Sequence, residues 1–380
     1  MRPFTFNPGP KLLAGADQAV ALAEKLPPGP CLLVTDAELI RLGLTDSYCD
    51  AISASHDLTT FDAVEADPSK ETLLAATEAG RVASVTSVVA VGGGSPMDVA
   101  KLAAYLLGSG DVLDEIWGVN IAKGQRLPLA LVPTTAGTGS EATPISVITG
   151  EGGVKLAVNS PPLIADWAVL DATLALGLPA HVTAATGIDA MVHAVEAYTS
   201  ARLKNPLSDA LAREALRLLS SNLLTAIEQP KNMEARSAML LGAHLAGLAF
   251  SNAPVAGVHA LAYPLGGLHH LPHGLTNAMM LRHVLNHNLE AARDHYAELA
   301  EIIEPDCAGQ GSQARAALLI ERLDSLAQSS GLALRLRDHG IVFEEAPVLA
   351  REAMKQTRLL VNNPCEISES DAQRLYEAAW

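Results

Sequence analysis

Cysteine is scarce in this chain. Four occur in 380 residues (Cys31, Cys49, Cys307 and Cys365), widely scattered and without a CxxC pair. That excludes a disulfide framework and a zinc knuckle, and it predicts the reduced thiols of a cytoplasmic protein. Positive charge is also short: 26 Lys and Arg stand against 42 Asp and Glu, a formal net charge of −16. Nucleic acid and anionic membrane surfaces both need clusters of cationic side chains, so neither is an expected partner. No long hydrophobic run is present. The most apolar stretch, residues 238–250, contains His244 and stops at Ser251-Asn252, a length that fits a buried core helix and not a membrane span. The start, MRPFTFNPGP, lacks an apolar signal-peptide region. No GxSxG turn occurs, so nothing points to a serine nucleophile.

What is present is a globular composition, 49% hydrophobic and 18% charged, in a chain long enough for about two domains. Its texture changes near residue 180. Before that point short β-rich runs at 31–36, 87–91 and 127–133 alternate with helical patterns at 16–25 and 69–83. Such alternation implies parallel strands joined by right-handed crossovers. Residues 145–149 and 154–159, separated by the GEGG of 150–153, read as a hairpin attached to that sheet. After Pro179 helical periodicity takes over, at 207–223, 233–250, 289–303, 312–330, 346–360 and 369–379. The expected architecture is an α/β dinucleotide-binding domain over residues 1–180 and an all-α, metal-binding domain over 181–380.

Two motifs carry chemistry. Asp189 and His193 are four residues apart, so on a helix both project from one face. His259 and His273 lie fourteen residues apart, with Pro264, Gly266, Gly267 and Pro272 between them, breaks that can fold the second histidine back toward the first. One oxygen and three nitrogen donors suit iron, zinc or a similar ion and leave positions open for substrate. The second motif, residues 91–101, follows a β-branched run and opens a helix. Pro96 fits that helix's first turn, Ser95 can cap it, and Asp98 complements its positive end. Strand, glycine turn and helix start together cradle a phosphate. The turn is not the GxGxxG fingerprint, and a tight βα turn without a ligand remains the other reading.

GGGSPMDVAK (92–101), PTTAGTGSEAT (133–143), GIDAMVHAVEAYTS (187–200) and HALAYPLGGLHHLPHG (259–274) resemble, in order and spacing, the iron-dependent (group III) alcohol dehydrogenase family. The resemblance implies a dehydroquinate synthase-like fold and a homodimer or higher homo-oligomer. It implies an NAD(H)-linked, metal-dependent interconversion of a small alcohol and its aldehyde or ketone by direct hydride transfer. Fe2+ is the expected ion and Zn2+ the alternative. By the same likeness Gly93, Gly94 and Ser95 carry the pyrophosphate, Asp98 lies near the nicotinamide, and Thr134, Thr135 and Thr138 line the nucleotide. Lys155 lies near the ribose, or is a solvated lysine. Asp36, at a strand end, can accept from the adenosine ribose hydroxyls and favour NAD over NADP, or can cap the following helix.

In the metal half, Phe250 matches an aromatic that lines the family's substrate pocket, or is an ordinary core residue. Tyr263 stands where many members have a histidine, so Tyr263 or His270 becomes the candidate proton relay. Asp67-Pro68 replaces a frequent Asn-Pro, and Arg282 a common proline. Other oxidoreductases of this architecture, of the maleylacetate reductase or glycerol dehydrogenase type, are the alternative. A dehydroquinate synthase-type lyase is a further one, but 189–274 is poor in the cations it needs.

Overall fold

The computed structural model describes residues 3–150 and 154–380. The first half contains β1 (Lys11–Ala14), α1 (Ala19–Ala23), β2 (Cys31–Val34), α2 (Ala37–Arg41), α3 (Asp46–Ser53), β3 (Leu58–Phe61) and α4 (Lys70–Val82). It continues with β4 (Ser87–Gly92), α5 (Gly94–Ser109), β5 (Gly118–Val119), β6 (Leu129–Pro133), β7 (Ile145–Thr149), β8 (Lys155–Asn159) and β9 (Trp167–Leu170). Six strands form one sheet in the order β1-β9-β6-β4-β2-β3, and every pairing is parallel. Strands β2, β4 and β6 are buried at every position, which is why they read as continuous apolar runs without alternation. Leu32, Val88 and Leu131 pack with α4 and α5 on one face; Leu33, Val89 and Val132 pack with α1 and α3 on the other.

The order of strands matters for function. From β2 the chain moves outward to β3, and from β4 it moves the opposite way to β6. Connections that part in this way leave a crevice at the carboxyl ends of β2 and β4, where open α/β sheets take their ligands. Thr35 Oγ1 donates to the Val91 carbonyl at 2.8 Å and ties these two strand ends together.

The 145–159 hairpin forms as expected, with Ile145 opposite Asn159, but not as an attachment to the main sheet. Strands β7 and β8 join β5 in a separate three-stranded sheet, because β5 pairs in parallel with β8. Residues 151–153 of its turn lie outside the described residues. Strands β1 and β3 escape the sequence pattern because each is a four-residue edge strand without full burial.

The second half contains α6 (Ala180–Thr199), α7 (Pro206–Glu228), α8 (Met233–Asn252), α9 (Gly257–His269) and α10 (His273–Ile303). Helices α11 (Ser312–Ser329), α12 (Ala346–Met354), α13 (Thr357–Leu360) and α14 (Glu369–Ala379) complete it. Helices α6, α7 and α8 pack on one another, and α10 lies against α6, α9 and α11. Asn205 and Asn232 cap α7 and α8 by accepting from Ser208 N and Ala235 N. The apolar run 238–250 lies within α8, and among the described residues no single helix is long and apolar enough to cross a membrane.

The chain divides into two compact units. One is Pro8–Leu176; the other is Gly177–Trp380 together with the described residues 3–7. The boundary therefore falls four residues before the expected 180/181, and the amino-terminal residues belong to the helical unit. Asn7 is held there by Asn252, whose Oδ1 accepts from Asn7 N at 2.6 Å while Nδ2 donates to Asn7 O at 2.9 Å. Composition alone gives no sign of that return.

Candidate functional site

Helix α6 presents Asp189, His193 and Glu196 on one face, at positions i, i+4 and i+7. His259 projects from the first turn of α9, and His273 opens α10. The ligand atoms of Asp189, His193, His259 and His273 all lie within 4.8 Å of one another. Asp189 Oδ1 is the common point: it is 4.0 Å from His193 Nε2, 3.8 Å from His259 Nε2 and 3.7 Å from His273 Nε2. Donor atoms around one tetrahedral ion with bonds of ~2.0–2.2 Å stand roughly 3.4 Å apart, so small adjustments suffice to bind one.

Burial defines the chemistry of this cluster. Asp189, His193 and His259 are buried, whereas the His273 side chain is 42% exposed and marks the open side. Burial alone would raise the Asp189 carboxyl, but His193, His273, His259 and the Asn277 amide outweigh it and hold the group below its ordinary range. Asn277 Nδ2 donates to Asp189 Oδ1 at 2.6 Å and lies 3.2 Å from His273 Nε2. Glu196 Oε2 lies 2.7 Å from His259 Nδ1. His259 Nε2 is buried with no hydrogen-bond partner. A ring nitrogen left so inside a polar cluster fits a cation ligand, and the donor set N₃O fits iron or zinc.

The connection between the last two candidate ligands differs from the expected break. Helix α9 continues through Pro264, Gly266 and Gly267, and the chain reverses only at His270, whose φ of +54° ends the helix. His270 is exposed at this cap. Tyr263 lies nearer the cluster, its ring centroid 5.8 Å from that of His273. Phe250 stacks on His193 with centroids 4.3 Å apart and planes at 22°, so it covers one face of a candidate ligand. Arg282, without explanation in the sequence, pairs with Asp324 of α11 at 2.5 Å.

The glycine turn occupies the carboxyl end of β4. Gly93 is the N-cap of α5, so Ser95 lies inside the first turn and does not cap it, contrary to expectation. Gly94 and Ser95 contribute N–H groups that have no intrahelical acceptor, and Pro96 has none to satisfy. A Cβ on Gly94 would approach Thr138 Cγ2 at 3.0 Å, and one on Gly93 would lie 3.6 Å from Thr135 Oγ1. These two threonines therefore face the turn, while Thr134 is buried and its N–H bonds to Gly92 O at 3.0 Å.

Asp98 is not free to complement the helix end. Its Oδ1 accepts from Ser140 Oγ at 2.5 Å and its Oδ2 from Val147 N at 2.8 Å. Lys101, which sequence reasoning missed, is fully buried and donates to Ser140 Oγ and to Ile145 O, each at 2.7 Å. Burial pulls its ammonium down to about 8 against the opposing fields of Asp98 and Glu141. Together these groups bind α5 to the 140–147 segment. Asp36 caps α2, its Oδ1 accepting from Leu39 N at 2.9 Å. Its Oδ2 makes no hydrogen bond among the described residues. Lys155 is paired with Asp67 at 2.6 Å and donates to Thr149 Oγ1 at 2.9 Å.

A parallel sheet with a phosphate-type turn at its switch point, and a helical unit with an N₃O cluster, define a metal-dependent dinucleotide oxidoreductase. Residues 9–172 match the family described as iron-containing alcohol dehydrogenase, and residues 183–380 match its carboxyl-terminal part. The chain is 38% identical over 368 residues to long-chain-alcohol dehydrogenase 1 of Geobacillus thermodenitrificans, covering 96% of this chain and 93% of that protein. It is 36% identical to 1,3-propanediol dehydrogenase of Citrobacter freundii, over 92% and 91% of the two chains. The crystal structure of a 1,3-propanediol oxidoreductase superposes over all of both chains with a TM-score of 0.96 at 33% identity. Sulfoacetaldehyde reductase from Bifidobacterium kashiwanohense in complex with NAD+ gives 0.89 at 28%, over 100% and 99%. The protein belongs to the iron-containing alcohol dehydrogenase family, and is an NAD(H)-linked oxidoreductase that interconverts alcohols and their carbonyl products.

Helix α10 reaches the cluster only because residue 274 has no side chain. A Cβ there would meet the Ala185 carbonyl carbon of α6 at 2.7 Å and its oxygen closer still. Backbone cannot move aside as a side chain can, so Gly274→Ala should separate the helices at a cost of about 1–3 kcal/mol. Thermal unfolding should show a lower Tm, and calorimetry weaker divalent-ion binding, since His273 moves with the helix. Unchanged values of both would contradict this packing.

Proposed function

We propose that Asp189, His193, His259 and His273 hold one divalent ion, with iron the ion of the family and zinc able to use the same donors. The observation that carries this reading is the buried, unpartnered His259 Nε2, 3.8 Å from Asp189 Oδ1. When bound, the ion supplies Lewis acidity to a substrate oxygen, and the nicotinamide supplies or takes the hydride. Everything else is done by side chains. Phe250 shields His193 from water and gives the substrate an apolar wall. The Tyr263 hydroxyl is the better placed of the two relay candidates, because its ring lies against His273 while His270 is exposed at a helix cap.

In the nucleotide half, Gly93, Gly94 and Ser95 bind pyrophosphate through backbone N–H groups. Thr135 and Thr138 line the turn. Asp98 acts through the 140–147 segment that it holds, and Lys155 is assigned to the hairpin because its ammonium is already paired with Asp67. The substrate class is small alcohols and aldehydes. Four free cysteines support a cytoplasmic location, and the net charge of −16 supports the absence of nucleic-acid and membrane partners. Family likeness supports a homodimer or larger homo-oligomer.

Replacing His259 and His273 together by Ala should abolish tight divalent-ion binding and activity and leave the far-UV circular dichroism unchanged. Retention of both ion and activity by the purified double variant would refute the assignment.

Cofactor choice rests on Asp36. Its free Oδ2 can accept from a ribose hydroxyl, whereas the extra phosphate of NADP would meet a carboxylate that no Lys or Arg within residues 35–39 offsets. The nearest arginine in sequence, Arg41, is paired with Glu38. NAD should be preferred at least about tenfold in kcat/KM, which needs only ~1.4 kcal/mol. Asp36→Gly should narrow the preference mainly by improving NADP, since glycine is itself tolerated at an N-cap. Equal use of the two cofactors by the unaltered protein would show that Asp36 serves only the α2 cap.

A further inference from the structure

We infer that Glu196 sets the tautomer of His259, and so decides which ring nitrogen is offered to the ion; it is a positioning residue of the metal centre. The inference rests on the metal-binding reading above and adds a residue that lies outside the ligand set. Glu196 follows His193 by three residues on α6, and its side chain is 4% exposed. Among the described residues all of its side-chain hydrogen bonds go to the start of α9. Oε1 accepts from Val258 N at 2.6 Å, and Oε2 accepts from Ala256 N at 2.9 Å. The third partner is His259 Nδ1, 2.7 Å from Oε2.

The direction of the third bond follows from the other two. An ionised carboxylate only accepts, and both backbone partners are obligatory donors. Nδ1 must therefore carry the proton of the neutral ring, which leaves the lone pair on Nε2 facing Asp189. The opposite tautomer would lose the 2.7 Å bond and gain nothing, because 3.8 Å from Nε2 to Asp189 Oδ1 is too long for a hydrogen bond. The same carboxylate fixes the backbone of the helix that carries the ring, since Ala256 and Val258 supply N–H groups that no intrahelical carbonyl satisfies. Helix entry and ring orientation are thus governed by one side chain. A carboxylate behind a metal-binding histidine fixes its tautomer and raises its basicity.

Glu196→Gln separates this role from simple capping. Glutamine has nearly the same shape but one acceptor oxygen and a donating amide. With its oxygen in the place of Oε1, bonded to Val258 N, the amide stands in the place of Oε2, faces Nδ1 and drives the proton to Nε2, into the ion's place. Asn363→Ala is the control: Asn363 Oδ1 accepts from Gly257 N at 3.2 Å, so its loss loosens the same helix start without touching His259.

Zinc affinity, measured on the full chain by competition with a chelator, should fall about 10–100-fold in Glu196→Gln. In Asn363→Ala it should stay close to that of the unaltered protein even where the Tm falls. Nitrogen-15 NMR of histidine-labelled protein should find His259 protonated on Nδ1 with and without zinc, and on Nε2 in Glu196→Gln. Wild-type zinc affinity in Glu196→Gln, or an equal loss in Asn363→Ala, would overturn the inference and leave the metal site standing. Failure of the unaltered protein to bind zinc or Fe(II) would overturn both. Should Glu196→Gln not fold, the metal-free unaltered protein still decides, because an Nε2–H tautomer there contradicts the inference.

Discussion

The structure of the helical unit turns on the burial of one carboxylate. Asp189 is enclosed by three imidazoles and an amide, all directed at a single oxygen or its surroundings. An ionised group so placed is costly unless its neighbours compensate, and the neighbours come from three different helices. The packing of α6, α9 and α10 therefore has to satisfy this point before anything else. Glycine at 274 lets α10 touch α6, Glu196 fixes the entry of α9, and the left-handed residue His270 turns the chain so that His273 returns. Each device is local, and each is required by the convergence of the donors.

The α/β unit solves a different problem, which is to present backbone donors to an anion at the edge of a buried sheet. Its answer is also built from enclosed charge. Lys101 is an inaccessible side chain of α5 and Asp98 a largely buried one, and between them they hold Ser140, Ile145 and Val147. The helix that opens with the glycine turn is thus attached to the 140–147 segment, and Thr138 is joined to that segment by accepting from Ser140 N. A phosphate cradle depends on amide directions, so rigid attachment of the helix is what keeps the cradle in shape. Asp36 stands at the end of the neighbouring strand, with one oxygen for its helix and the other open.

Much of this was legible in the chain. The four candidate ligands and the glycine turn stand in motifs whose spacing follows helix and βα geometry, and parallel central strands announce themselves by unbroken apolar runs. The helical partners of these residues stand at regular spacings that no motif marks: Glu196 continues the 189/193 face by three residues, and Asn277 follows His273 by four. Three features resisted reading. Ser95 reads as a cap because serine commonly is one, yet glycine at 93 takes that position and the helix begins two residues earlier. The hairpin strands carry no mark of which sheet they join, since β5 is only two residues long. Proline and glycines in α9 suggested a break, but only a residue with positive φ ends the helix, and histidine gives no such signal in sequence.

One ion held by three imidazoles and one carboxylate is the proposed arrangement on which the function depends. X-ray absorption fine structure on the zinc- or iron-loaded protein tests it most directly. One ion per chain should show only nitrogen and oxygen neighbours at ~2.0–2.2 Å, with the outer-shell scattering of three imidazole rings and no sulfur. A sulfur neighbour, or scattering from fewer than three rings, would contradict the account.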